Sequence, residues 1–477
     1  MTALDAPPLL RRTSLVLRPD PSRVVSTPFL PGEEIVGAGP SRRSVVLGRL
    51  LALPDAQVDA ALVQVLTSFS ARHRDLVGLL DERFALVEQH LEHAGTLSLE
   101  RRRLIGACMS QEYAIESAAL FNPSMVAHPD QSGLPDGATR FVMSVRGVGE
   151  GHVSSVGLRT GVIGAADDVT FDVPGPTTTV PARYDIEHAR ADLERQNDEL
   201  PGEPDDAAEL LGSLPESFRP EAVAGSARLA FLAECSYDVA FPVPSPVDSR
   251  VLMPGSAAER GGIEDLRLVE VERADGRRGY VGTYTAFDGT AVAPHLLETD
   301  DFTTFRMRRL TGPAAKNKGM AIFPRRVGGR YLALSRRDRE SNSLATSDDL
   351  LHWEDLGTLS APSQAWELIQ VGNCGSPIET ADGWLVLTHG VGPMRQYGIG
   401  AMLLDLDDPR RVLGSLAEPL LTPVGEERDG YVPNVVYTCG ALLHGETLVL
   451  PYGCSDAAIR VALVGVPQLL ARLAGRA

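Results

Sequence analysis

Asp265 sits in Gly262-Ile263-Glu264-Asp265-Leu266-Arg267, two carboxylates and a guanidinium within four positions, just before a predicted strand. Adjacent strand residues point to opposite faces, so Glu264 and Asp265 are not expected to address one pocket, and one of them is expected to be structural. The same residues would equally serve as a surface ion-pair cluster. A second group is cationic. Lys318 lies in Lys316-Asn317-Lys318-Gly319-Met320, ahead of the strand-like Ala321-Ile322-Phe323-Pro324, and Arg336 follows eighteen residues later. Each alone is an ordinary surface cation. Joined by His389 and Tyr397, they would set ammonium, guanidinium, imidazole and phenol donors around a tetrahedral oxyanion.

Other polar stretches carry less. Tyr431-Val432-Pro433-Asn434-Val435, after the acidic turn Glu426-Glu427-Arg428-Asp429-Gly430, reads as a loop and strand start. Trp353, Trp366 and Trp384 could stack on sugar faces, although Trp353 and Trp384 fit a sheet core better. His152, in Gly149-Glu150-Gly151-His152, lies on a turn too short and too acidic for a phosphate-binding loop, and it receives no role. No Gly-x-Ser-x-Gly elbow, His-Glu-x-x-His helix or Walker loop occurs, which disfavours serine hydrolases, zincins and NTPases.

The elements that must position these groups announce themselves as a repeat. A six-residue strand pattern recurs as Phe141 to Arg146, Tyr280 to Thr285, Tyr331 to Arg336, Trp384 to His389 and Thr447 to Tyr452, each with a glycine just upstream. The last four copies start 51, 53 and 63 residues apart, a spacing that suits one four-stranded propeller blade per copy. The sixth positions, Arg146, Thr285, Arg336, His389 and Tyr452, would then converge on the axis as a polar, partly cationic ring. The first gap, 139 residues, holds a blade's length plus a Pro-rich and acidic insertion around 165–225, including Glu187 to Glu199 and Glu203 to Glu209.

Ahead of the repeat, residues 1 to about 50 are rich in Pro, Arg and Ser and read as an extended arm. Apolar residues then recur at helical spacing from Val58 to Leu66 and from Leu76 to Val87, and Ser98 opens a further helix through Leu104 and on past Tyr113. The expected division is an arm and helical region over 1–104 and a catalytic domain over 105–477. Gln468 to Leu473 form a closing amphipathic run.

Composition narrows the function. With 43% hydrophobic residues, the 477-residue chain has an ordinary soluble composition. A net charge of −18 argues against nucleic acid as partner, yet leaves room for a local cationic pocket. Five scattered cysteines lack metal-ligand spacing and suit a reducing cytoplasm. No segment has the apolar length to cross a bilayer, and no signal peptide is expected at the N-terminus, so neither a membrane nor export is expected.

Taken together, these residues resemble glycoside hydrolase family 130, over roughly Phe121 to Val464. The resemblance rests on Gly262 to Arg267 for the family's Gly-x-Glu-Asp-Pro-Arg, on Lys318 before Ile322-Phe323-Pro324, on Arg336 for the Arg of His-Arg-Pro, on His389-Gly390-Val391, and on Tyr397. It implies an all-β five-bladed β-propeller with an N-terminal α-helical extension. It also implies inverting phosphorolysis of β-mannosidic linkages in manno-oligosaccharides, giving α-mannose 1-phosphate. Asp265 would be the catalytic acid, its pKa expected to be raised by burial. Lys318, Arg336, His389 and Tyr397 would bind phosphate, and Asn122, Arg146, Glu264, Arg267 and Asp338 would serve the sugar. Inorganic phosphate would be a co-substrate, with no metal and no other cofactor, and the N-terminal helices would offer a surface for a homo-oligomer. Leu266, Gly319-Met320 and Ser335 depart from the family pattern, the last two in ways that bear on the sugar subsites. Two alternatives stand beside this one. One is an inverting β-mannosidase, with Glu426, Glu427 or Glu367 as base. The other is a non-catalytic carbohydrate-binding propeller.

Overall fold

The computed structural model describes residues 8–31, 41–91, 94–184, 235–273 and 276–475. Contacts divide the chain into a unit of Asp20–Ser117 with Gly175–Val180, and a second of Met1–Pro19, Ala118–Pro174 and Pro181–Ala477. The boundary expected after residue 104 falls inside a helix of the first unit.

That unit is built on helices α1 (Arg42–Ala52), α2 (Asp55–Phe69), α3 (Leu76–Glu88) and α4 (Leu99–Cys108). Side chains of Ser41, Asp75 and Ser98 cap the first turns of α1, α3 and α4 by accepting from backbone N–H groups. The buried Arg101 of α4 donates to the carbonyls of Leu50 and Leu53 and to Asp55, closing the orphaned C-terminal carbonyls of α1. Two expectations change here. α1 lies where an extended arm was expected, because Leu47 and Leu50 supply a buried stripe that the surrounding Arg and Ser conceal. α4 ends at Cys108, and Ser110–Ala114 pairs as a strand with Val24–Pro28.

The second unit carries five antiparallel meanders in chain order, beginning at Ala119, Gly262, Ala321, Gln370 and Val436. Each repeat copy forms the second strand of its meander: Thr139–Val148, Arg278–Phe287, Tyr331–Ser335, Gly383–Val391 and Thr447–Cys454. The first two meanders touch edge to edge through one parallel pairing, Gly262 with Ser154. The last is completed by the chain's start, since Leu10–Leu17 pairs antiparallel with Ala458–Gly465. This stretch was expected to be an extended arm with little periodicity. Alternating side chains such as Leu15 and Leu17 give it one apolar face, which packs on the cluster of Phe141, Val449 and Ile459.

Apolar clusters join the meanders pairwise. Val142 and Leu158 pack with Leu266 and Tyr280, joining first to second. Val281 and Leu296 meet Ile322 and Trp353. Leu334 and Leu344 meet Trp384 and Met402. Leu387 and Ile399 meet Leu450 and Val464. Met143 meets Val461, returning the fifth sheet to the first. Every sheet thus buries its two faces against two neighbours, and the sequence of packings closes on itself. Helix α5 (Val466–Leu473), the expected amphipathic run, docks Leu469, Leu470 and Leu473 on the same core as the fourth and fifth meanders. Of the insertion, Val169–Phe171 and Ala182–Tyr184 are strands at sheet edges, and the acidic runs Glu187 to Glu199 and Glu203 to Glu209 lie outside the described residues.

Candidate active site

Second strands of the meanders deliver Arg146 and His389, and Arg336 follows directly on Tyr331–Ser335. All three line a cavity of ≈ 630 Å³ together with Asn122, Asp265, Lys318 and Tyr397. Seven of the ten expected site residues therefore share one cavity. Two of the five expected ring positions do not. Tyr452 turns away and donates to the buried Glu427 at 2.7 Å. Thr285, in register with Glu264, is buried and does not line the opening.

The acidic wall is made by two interruptions of regular pairing. The register slips between Phe121 and Ser124 and between Glu264 and Arg267. At these slips Asn122 and Asp265 take left-handed backbone conformations, φ 48 and 55, uncommon for residues with a Cβ and held by their surroundings. Asn122 Nδ2 donates to Asp265 Oδ1 at 2.6 Å, and Arg146 donates to that same oxygen at 3.0 Å and to Glu264 Oε1 at 2.6 Å. Strand alternation was expected to separate Glu264 from Asp265. The bulge breaks that alternation, and one guanidinium reaches both. The surface ion-pair alternative also falls, since Glu264, Asp265 and Arg267 are all buried.

Burial alone pushes the Asp265 carboxyl up, as expected, but Arg146, Lys318, the Asn122 hydrogen bond and Arg267 more than reverse it. The net result lies well below the usual carboxylate range. The expected elevation is thereby corrected: Asp265 is ionised in the unliganded protein. Burial does raise its neighbour Glu264. It also pushes Asp456, the cavity's second lining carboxylate among the described residues, up to about 6 despite the pull of Arg146.

The cationic wall carries Lys318 and Arg336. The Arg336 side chain is buried, and its Nε has no hydrogen-bond partner. No carboxylate among the described residues pairs with it. Arg336 and His389 are neighbours over Gly372, where a methyl group would stand 2.5 Å from both Arg336 Nε and His389 Cε1. The His389 ring stacks parallel to Tyr397 at 6.1 Å and meets Tyr437 edge-on at 4.9 Å. Lys318 stands 4.0 Å from Glu264 Oε2 with its side chain 45% exposed.

Three expected residues sit apart from the cavity surface. Glu264 acts on it through Arg146. Arg267 lies beneath, donating to the Asn373 carbonyl at 3.1 Å and to Tyr437 Oη at 2.7 Å. Asp338 accepts from the N–H groups of Glu340 and Ser341 and so closes its own turn. The carboxylates considered as water-activating bases are also engaged elsewhere. Glu367 accepts from Ser363 and Gln364, Glu427 accepts from Tyr452, and Glu426 lines a different cavity. Trp353 and Trp384 are core, as expected, and Trp366 donates to the Ala417 carbonyl rather than lining the cavity.

Sequence reasoning missed Arg339, Gln370, Arg395, Tyr437 and Asp456, and it read Val432 and Val435 as an ordinary loop and strand start; all seven line the cavity. Arg395 had a signal. Arg146-Gly147-Val148-Gly149 and His389-Gly390-Val391-Gly392 are the same motif in two meanders, and both lead into a five-residue tip closed by Gly149 N–H to the Val153 carbonyl and Gly392 N–H to the Gln396 carbonyl. Aligning them places Arg395 opposite His152, both in left-handed conformation. His152 itself accepts or donates one hydrogen bond with Tyr431 Oη at 3.0 Å. Asp456 and Tyr437 lie in loop and short-strand positions with no periodic signature.

Comparison with known proteins points to one family. The sequence profile of the glycoside hydrolase 130 family, described as beta-1,4-mannooligosaccharide phosphorylase, matches residues 242–473. A 1,2-beta-oligomannan phosphorylase of Thermoanaerobacter sp. is 33% identical over 234 residues, covering 47% of this chain and 75% of the relative. A beta-1,2-mannobiose phosphorylase of Listeria innocua is 32% identical over 230 residues, 46% of this chain and 63% of the relative. A solved structure of beta-1,2-mannobiose phosphorylase from Listeria innocua, in complex with beta-1,2-mannobiose, superposes with a TM-score of 0.46 at 24% identity. It covers 76% of this chain and 93% of that one. With a third of positions identical across three quarters of a curated relative, the chain belongs to glycoside hydrolase family 130.

Proposed function

We propose that this chain is an inverting phosphorylase that cleaves β-mannosidic linkages of manno-oligosaccharides with inorganic phosphate, releasing α-mannose 1-phosphate, on a five-bladed β-propeller. Five meanders whose cores pair in a closed cycle support the propeller. The observation that carries the reaction is Arg336: a buried guanidinium without a carboxylate partner, beside His389, in the cavity that also holds Asp265. A desolvated cation left unpaired is costly unless an anion completes it. The cavity is cationic against the trend of an acidic chain, with Arg146, Lys318, Arg336, Arg339 and Arg395 against Asp265 and Asp456.

In this mechanism Arg336, Lys318, His389 and Tyr397 hold phosphate in line with the anomeric carbon. Entry of the anion offsets the cations that keep Asp265 ionised, so Asp265 takes up a proton with the substrate. A phosphate oxygen then bonds to the anomeric carbon as the glycosidic C–O bond breaks. The departing oxygen receives the Asp265 proton through a sugar hydroxyl. Asn122 and Arg146 orient the Asp265 carboxylate, and Asp456 offers an acceptor for sugar hydroxyls. A reducing, cytoplasmic setting is part of this proposal, since five scattered cysteines suit it.

The deciding assay measures mannose 1-phosphate against free mannose from β-1,2- and β-1,4-linked mannobiose and mannotriose, with and without phosphate. Mannose 1-phosphate, formed only when phosphate is present and as the α-anomer, is the expected result. Free mannose at the same rate without phosphate would overturn it in favour of hydrolysis, with Asp456 as the carboxylate left to activate water.

Gly372→Ala supplies a sharper test of the anion site. Its methyl group would press on both Arg336 and His389. The expected outcome is a rise in KM for phosphate of about tenfold or more and a lowered Tm from overpacking, with KM for the mannoside little changed.

A further inference from the structure

His389 is locked in one tautomer. Its Nδ1 faces the Asn373 backbone carbonyl oxygen at 3.2 Å, and a carbonyl only accepts, so Nδ1 carries the hydrogen. Its Nε2 faces the side-chain Nε2 of Gln370 at 3.2 Å, and an amide nitrogen only donates, so Nε2 presents a lone pair. Asn373 is fully buried and held on three sides. Its carbonyl and side-chain oxygens both accept from Arg267, and its Nδ2 donates to the Gly319 carbonyl at 2.8 Å. Turning the Gln370 amide round would require an imidazolium against Arg336, Arg267 and Lys318. Burial and those three charges hold the imidazole well below its ordinary pKa. The remaining ring neighbours of His389 are Tyr397 and Tyr437. The imidazole next to Arg336 is thus an acceptor, although it stands where an anion would be expected to meet only donors.

We infer that His389 Nε2 accepts a hydrogen carried by the anion itself, so that the cavity selects oxyanions that retain an O–H over isosteric ones that have none. This rests on the phosphorolysis reading above. Phosphate and arsenate dianions each keep one O–H; sulfate and fluorophosphate carry the same charge without it. On binding, the phosphate O–H takes the place of the Gln370 amide at the Nε2 lone pair, and the freed amide can donate to another phosphate oxygen. Sulfate would set an oxygen lone pair against the nitrogen lone pair and leave both buried and unsatisfied. Asn373 is the positioning residue, since its carbonyl fixes which nitrogen is the acceptor.

The test is calorimetric titration of the intact protein with the four anions, at a pH where phosphate is the dianion. Phosphate and arsenate are expected to bind at least about tenfold more tightly than sulfate and fluorophosphate. In His389→Gln, whose amide can turn a donor toward the anion, sulfate is expected to approach phosphate. Equal affinity of sulfate and phosphate for the unaltered protein overturns the inference while leaving the phosphate site standing. Binding of neither anion overturns the phosphate site and the inference with it.

Discussion

Arg336→Ala is expected to raise KM for phosphate and cut kcat, lowering kcat/KM for phosphate by about two to three orders of magnitude, the scale for deleting one preorganised donor from a site of developing charge. Affinity for the mannoside, read by calorimetry without phosphate, should stay within a few fold. The reason is the local charge balance. Arg146 already spends its guanidinium on Glu264 and Asp265, and Lys318 faces Glu264 at 4.0 Å. Of the cations that line the cavity, Arg336 is the buried one without a carboxylate partner among the described residues. Removing it relieves a desolvated charge, so Tm should hold or rise, whereas a structural arginine would lower it. Arg336→Lys keeps the charge but loses the planar fork, and should recover part of the loss. An unchanged KM for phosphate in Arg336→Ala would dismantle the phosphate assignment.

Much of this site was legible in the chain before its fold was known, and the reasons are physical. Residues at the ends of repeated strands, Arg146, Arg336 and His389, are found by period and register, because equivalent positions of equivalent strands end in equivalent places. Residues whose placement depends on irregular backbone are not. The bulge at Asp265 overrides strand alternation, and nothing in Glu264-Asp265-Leu266 announces a left-handed turn. Asp456 and Tyr437 reach the cavity from a turn and a two-residue strand, where no period exists to read. Two ring positions failed for a related reason. Thr285 is buried opposite Glu264, and Tyr452 donates to the buried Glu427 instead. The closing strand Leu10–Leu17 was hidden because its partner, Ala458–Gly465, lies at the other end of the sequence. Charge composition misled least, since an acidic surface and a cationic cavity coexist.

Asp265→Asn is expected to lower kcat by about two to four orders of magnitude, the range for losing a positioned proton donor, with mannoside binding retained. Retained binding with lost turnover separates a catalyst from a binding propeller, which would show no turnover to lose. The substitution is nearly isosteric, so Asn122 and Arg146 keep a neighbour of the same shape, but it removes the charge that Arg146, Lys318 and Arg267 face, so Tm should fall while the fold is kept. The pH profile carries the stricter demand. Arg146, Lys318 and Arg267 hold Asp265 ionised in the free protein at any working pH. Its proton must therefore arrive with the substrates, and for kcat/KM the competent pair is ionised Asp265 with phosphate bearing one extra proton. The rate should accordingly fall as pH rises through the second ionisation of phosphate, tenfold per unit. On the acid side, Asp456 titrates at about 6. It faces Arg146, Asp265, Arg395 and Lys318, and it accepts sugar hydroxyls most strongly when ionised, so kcat/KM should fall as pH drops below that value. Asp456→Asn should erase the acid limb and leave the alkaline one. An alkaline limb that vanished in Asp456→Asn, or a rate that rose with pH through the phosphate ionisation, would mean that Asp265 does not receive its proton with the substrate.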